Sequence, residues 1–166
     1  MTGFPHGIIP SMNTPFLANG DIDIDGIRHS ADAVINAGVV GMLVLAVAGE
    51  TGSLNMADKR LVASTFLEQV AGRIPVIIGC SSAMQVDRIR LATMARELSA
   101  PAILCQAPNG QHGGGLLKQM SALADAGPPM LMLQDLEFGG PGLPLADILL
   151  LQQAMPTLLG LKIEVA

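Results

Sequence analysis

The sequence predicts an α/β fold with a parallel sheet built from repeated βα units. Three observations carry the prediction. Short apolar runs alternate with amphipathic stretches along the chain. The runs begin near residues 8, 39, 75, 101, 129 and 158, one βα unit every 26 to 36 residues. Most of the amphipathic stretches are closed by a glycine or a proline, the usual helix punctuation.

Taken in order, Ile8 to Met12 is the first strand, followed by a polar turn around Asn19-Gly20-Asp21. Ile24 to Ala37 reads as a helix, with Gly38 after it. Val39 to Val47 is almost entirely apolar, the pattern of a strand covered on both faces. Asn55 can cap a helix that runs to about Ala71, with Gly72 beyond. Pro75 to Gly79 is the third strand, and Ser81 or Ser82 caps a helix through Leu98. Ala102 to Gln106 is the fourth strand, and Gly113-Gly114-Gly115 reads as loop before a helix over Leu116 to Ala126. Met130 to Gln134 is the fifth strand, followed by a second loop at Gly139-Gly140-Pro141-Gly142. A helix from Leu145 to Met155 stops at Pro156, and Leu158 to Val165 is the sixth strand.

Six such units fit either an open doubly wound sheet or part of a closed (β/α)8 barrel. A doubly wound nucleotide-binding sheet often carries a glycine fingerprint after its first strand. Here that strand leads into Asn13-Thr14-Pro15-Phe16, which weakens the dinucleotide reading. A full barrel takes about 250 residues, and this chain of 166 is roughly 84 short of that, with no signal that separates two domains.

Composition removes several functions. Charged residues make up 14% of the chain, hydrophobic residues 50%, and the mean hydropathy is +0.50, which is not the composition of a disordered chain. The net charge of −5, from nine basic and fourteen acidic residues, argues against nucleic acid and against a polybasic membrane contact. No apolar run reaches the length of a membrane span. The first ten residues lack a secretory signal pattern. Two cysteines, Cys80 and Cys105, are too few for a disulfide framework, so the expected setting is cytoplasmic and both thiols read as small buried hydrophobes. His6, His29 and His112 are scattered, with no H-E-x-x-H or C-x-x-C, so no metal or cofactor site is expected. The ten methionines read as core filler. His112-Gly113-Gly114-Gly115 is similar to an esterase oxyanion loop, but no G-x-S-x-G supplies a nucleophile.

One residue stands out. Lys162 lies in the middle of an apolar strand, where an unpaired ammonium is costly to bury. Alternation puts Gly160, Lys162 and Glu164 on one face and Leu161, Ile163 and Val165 on the other. If the apolar face packs on helices, Lys162 points into the lumen, where desolvation favours the neutral amine that attacks carbonyls. The alternative is a Lys162–Glu164 pair on a solvated edge strand, and spacing alone leaves both open.

Several segments together carry a resemblance. They are Gly7-Ile8-Ile9-Pro10 with Asn13-Thr14-Pro15-Phe16 and Asn19-Gly20-Asp21-Ile22-Asp23, then Gly38-Val39-Val40-Gly41 with Ala48-Gly49-Glu50-Thr51-Gly52-Ser53-Leu54. Ile74-Pro75-Val76-Ile77-Ile78-Gly79 and Gly160-Leu161-Lys162-Ile163-Glu164 complete the set. In order and spacing they resemble the dihydrodipicolinate synthase / N-acetylneuraminate lyase family over essentially the whole chain. The resemblance implies a TIM barrel, of which residues 1–166 are expected to be a single, incomplete domain, a homo-oligomer (tetramer or dimer), and an imine between Lys162 and a small 2-oxo acid such as pyruvate. A protonated imine is an electron sink that stabilises the neighbouring carbanion as an enamine.

The departures from the family pattern bear on its chemistry. The hydroxyl residues before its Gly-Glu pair are replaced by Val47 and Ala48, leaving the backbone around Gly49 and the Thr51 side chain as substitutes for binding a carboxylate. The tyrosines of the loop after the fourth strand are replaced by Pro108-Asn109-Gly110, and the chain has no Tyr at all, so no phenol can relay protons. Leu133-Gln134-Asp135-Leu136 replaces the family's Tyr-Asn-x-Pro. His112 is the nearest titratable group for proton transfer, set against the plainer reading of an exposed loop histidine. Asp135 and Glu164 are placed to tune Lys162. Thr14 either donates to substrate or caps the turn, and Glu50 is expected to anchor a loop by hydrogen bonds. Two functions follow: a Schiff-base lyase with Lys162 as nucleophile, or a non-catalytic barrel fragment that acts only by assembling with other chains through its exposed strand edges.

Overall fold

Five parallel strands form one sheet in the order in which they occur along the chain, β1-β2-β3-β4-β5. The computed structural model describes residues 6–137 and 140–165. The elements are α1 (Ile24–Asn36), β1 (Met42–Val44), α2 (Met56–Val70), β2 (Val76–Gly79), α3 (Gln85–Glu97), β3 (Ala102–Gln106), α4 (Gly113–Ala126), β4 (Met130–Glu137), α5 (Leu145–Ala154) and β5 (Leu158–Val165). Two short 3₁₀ turns, Val47–Gly49 and Thr51–Ser53, lie between β1 and α2. A doubly wound sheet reverses its strand order at a switch point. This one never reverses, which is the winding of a (β/α)8 barrel wall.

The two faces of the sheet differ as alternation requires. On the outer face Met42, Val44, Ile78, Ile103, Leu131 and Leu133 pack against the helices around Phe66, Ile27, Leu91, Leu116 and Leu123. On the inner face a smaller cluster of Leu43, Ile77, Ala102 and Leu104 meets Ile9, Met130 and Met132. The outer cluster is larger because it closes over every helix.

The first expected strand, Ile8 to Met12, is reduced to a single parallel bridge, Ser11 to Leu43. Met12 N–H donates to Leu43 O (2.8 Å) and Leu43 N–H to Pro10 O (2.9 Å). Pro10 has no N–H to continue the ladder, so six expected strands become five and a bridged segment. The strand expected over residues 39–47 shortens to Met42–Val44 because Leu45 turns left-handed (φ 60°) and the chain leaves the sheet. Leu45 is 2% exposed, and its burial offsets a conformation unfavourable for a bulky residue.

Asn55 caps α2 as expected, with Asp58 completing a capping box. Neither Ser81 nor Ser82 caps α3, which starts one residue after Met84; the Ser82 hydroxyl instead accepts from Met84 N–H in the preceding turn. Gly113-Gly114-Gly115, expected as loop, forms the first turn of α4 because Asp147 accepts the Gly113 N–H from another element. Of the second glycine loop, Gly139 lies outside the described residues, and Gly142 takes φ 73°.

Candidate active site

The C-terminal ends of the strands open on three adjoining clefts. The first, about 360 Å³, is lined by Ser11, Ala46, Val47, Ala48, Gln134, Leu136, Lys162 and Glu164. Its floor follows from register. Gln134 pairs with Lys162 and Leu136 with Glu164, so these side chains share the inner face of β4 and β5. Gly160, Lys162 and Glu164 thus face inward, and Leu161 packs outward with the helix-side core.

Both sequence readings of Lys162 meet here. It lines the inner cleft, and its Nζ lies 2.5 Å from Glu164 Oε2, with the two side chains 30% and 41% exposed. The Gln134 side-chain amide donates to the same carboxylate oxygen. The hydrogen bond from Lys162 holds the Glu164 carboxyl below its ordinary value; partial burial opposes this and the Gln134 bond assists it.

The wall facing Lys162 is the loop after β1, and it presents Val47 and Ala48 where the family pattern has hydroxyls. Two features hold it. A Cβ on Gly79 would lie 2.2 Å from Leu45 O, so only glycine lets the loop cross the end of β2. Thr14, 5% exposed, donates its hydroxyl to Gly49 O at 2.8 Å. Thr14 therefore fixes the loop and does not line the cleft. Gly49 is buried, and its N–H is spent on Ala46 O. Glu50 is exposed and, among the described residues, makes no side-chain hydrogen bond; it shapes the loop through a left-handed backbone (φ 53°). Thr51 lines the second cleft, about 510 Å³, and not that of Lys162.

The third cleft, about 430 Å³, adjoins the first at Leu136 and is lined in part by His112, Asp135 and Glu137. His112 Nδ1 lies 2.9 Å from Asp147 Oδ2, and Gly113 N–H donates to Asp147 Oδ1 at 2.9 Å. The Gly113 N–H, then His112, hold the Asp147 carboxyl below its ordinary value against the effect of burial. His112 is 59% exposed, as the plain reading has it, but it is also oriented by a carboxylate from α5. Asp135 is not brought to Lys162. It is in register with Ile163, and both of its oxygens accept the Leu143 N–H (3.0 and 3.1 Å).

Gln134, Ser11 and Asp147 are the site residues that sequence reasoning missed. Asp147 had a signal, a lone acid among the leucines of α5. Gln134 had none beyond its register. Cys80 and Cys105 are buried, and burial pushes the Cys105 thiol up to about 12 and Cys80 well above its ordinary value, consistent with core roles. Among the described residues no group of three His, Cys, Asp or Glu side chains gathers, and no helix is long and apolar enough to cross a membrane.

Comparison with known proteins agrees with this fold. The sequence profile of the dihydrodipicolinate synthetase family matches residues 4–163. The chain is 30% identical over 163 residues to 4-hydroxy-tetrahydrodipicolinate synthase of Rhizobium meliloti, covering 94% of this chain and 54% of that protein. Its fold is similar to the 4-hydroxy-tetrahydrodipicolinate synthase structure of Methylacidiphilum fumariolicum SolV (TM-score 0.83, 20% identity, 94% of this chain and 53% of that one). It is similar also to N-acetylneuraminate lyase of Mycoplasma synoviae (TM-score 0.79, 22% identity, 95% and 54%). The chain spans about half the length of the curated relatives it matches.

Proposed function

The chain belongs to the dihydrodipicolinate synthetase family, and from that premise we propose that it serves a carbon–carbon lyase or synthase that binds a small 2-oxo acid as an imine on Lys162. The observation that carries the reading is the position of Lys162: inward-facing, in the C-terminal half of β5, and lining a 360 Å³ cleft with Gln134 and Glu164. In barrel enzymes the chemistry sits at this end of the strands.

The proposed step begins with Lys162 leaving its pair with Glu164 and losing a proton. The amine attacks C2 of the 2-oxo acid, water departs with the carbonyl oxygen, and a protonated imine remains. Loss of a group or proton from C3 then places the electron pair in an enamine, which adds to an aldehyde in the synthetic direction. Ser11 and Gln134 are the uncharged hydrogen-bonding side chains that this cleft offers the substrate carboxylate. Asp147 holds Nδ1 of His112, which leaves Nε2 for proton transfer in the adjoining cleft. Homo-oligomeric assembly and a cytoplasmic setting complete the proposal.

The apolar wall of Val47 and Ala48 favours a second reading, a barrel wall that folds and assembles without catalysis. Incubation of the protein with a panel of 2-oxo acids, borohydride reduction and mass spectrometry separates the two. A covalent adduct that Lys162→Arg abolishes supports the lyase, and no adduct across the panel overturns it.

A further inference from the structure

We propose that the second cleft is a binding site for a small oxyanion, a carboxylate or phosphate group, held by Arg88. Arg88 is 7% exposed, yet it lines this 510 Å³ cleft at the C-terminal ends of β2 and β3. Its partners are all neutral: Nε donates to Ser82 O at 2.6 Å, and Nη1 to Gln85 Oε1 and Gln119 Oε1, both at 3.2 Å. Gln85 is in turn tied to Gln119 O, so the guanidinium is fixed before any ligand arrives.

The remaining nitrogen points to the ligand. Among the described residues Nη2 of Arg88 has no hydrogen-bond partner, and no side-chain nitrogen or oxygen sealed from solvent lacks one. Nη2 is therefore not sealed from solvent, and Arg88 is among the residues that line this cleft. A guanidinium buried without a counter-charge is costly, and an oxyanion on its free edge removes that cost.

Charge is partitioned accordingly. The lysine cleft contains Glu164 and the His112 cleft contains Asp135 and Glu137, whereas no Asp or Glu lines the Arg88 cleft. Its other polar lining is neutral and able to donate, with Thr51, Ser81, Asn109 and Gln111 among it. In a chain of net charge −5 this is a cationic, acid-free recess. It meets the lysine cleft at Val47, so the two clefts adjoin.

The test is titration of the protein with inorganic phosphate and, separately, with succinate, following the Arg Nε–H resonances by NMR. Saturable shifts with either probe are expected, and which one binds tighter identifies the source of the oxyanion. Arg88→Gln weakens binding at least tenfold. Because that variant also loses ties between α3 and α4, Asn109→Asp provides the second arm: it sets a carboxylate at the exposed rim, leaves the melting temperature unchanged, and weakens binding at least tenfold. Shifts that never saturate in the wild type, or either variant binding as well as wild type, overturn the proposal. Neither probe needs Lys162 to react, so failed trapping at Lys162 and failed anion binding are read separately.

Discussion

Replacing Glu164 by Gln should make Lys162 a better nucleophile near neutral pH. The carboxylate 2.5 Å from Nζ holds the nitrogen in an ion pair that it must leave before it can attack a carbonyl. The pair is partly solvated, with side chains 30% and 41% exposed. Water and salt screen such a pair to roughly 0.2–1 kcal/mol. Because the lysine must leave this pair to react, losing it should speed imine formation by about 1.4- to 5-fold. The amide that replaces the carboxylate keeps a side-chain partner for Gln134, so the floor of the cleft is preserved. The assay is the initial rate of borohydride-trapped adduct across the neutral to alkaline range. Near neutral pH Glu164→Gln should be trapped up to about 5-fold faster than wild type, and the gap should narrow at high salt. An unchanged or slower rate would refute the view that the ion pair with Glu164 restrains the lysine.

Two further outcomes concern the scaffold. Thr14→Val deletes a buried donor and leaves Gly49 O unpaired, which should cost about 1–3 kcal/mol. At roughly 2–4 °C per kcal/mol this appears as a lower thermal midpoint; an unchanged midpoint means the loop does not depend on that bond. Asp147 has its folded carboxyl below the ordinary 3.8, so its stabilisation is present above about 3.8 and is lost as pH falls through that value toward the folded one. Asp147→Asn should therefore be less stable than wild type at neutral pH, with the gap closing on acidification. A gap in denaturant midpoint that stays constant with pH would contradict the charge-based role of Asp147.

The βα rhythm was legible because each apolar run and each Gly or Pro stop is a local signal, and the Asn55 cap and the inward face of Lys162 followed from local rules as well. What escaped depended on tertiary partners. Pro10 thinned the first strand because of what its neighbour needed from it, and Gly113 entered a helix because Asp147 arrived from α5 to cap it. Asp135 looked better placed than Gln134 to meet Lys162, yet register put Gln134 opposite the lysine and left Asp135 to the Leu143 amide. Arg88 gave no sequence signal, since an arginine in the first turns of a helix is ordinary until its burial and neutral partners are seen.

The most direct test of the central claim is to locate the borohydride-stable adduct by peptide mapping. The chain has three lysines, and the other two, Lys59 and Lys118, lie on helices α2 and α4. After incubation with pyruvate or a related 2-oxo acid, the label should fall on the peptide containing Lys162 and vanish in Lys162→Arg. No label with any 2-oxo acid tried, or label shared among the three lysines, would contradict it.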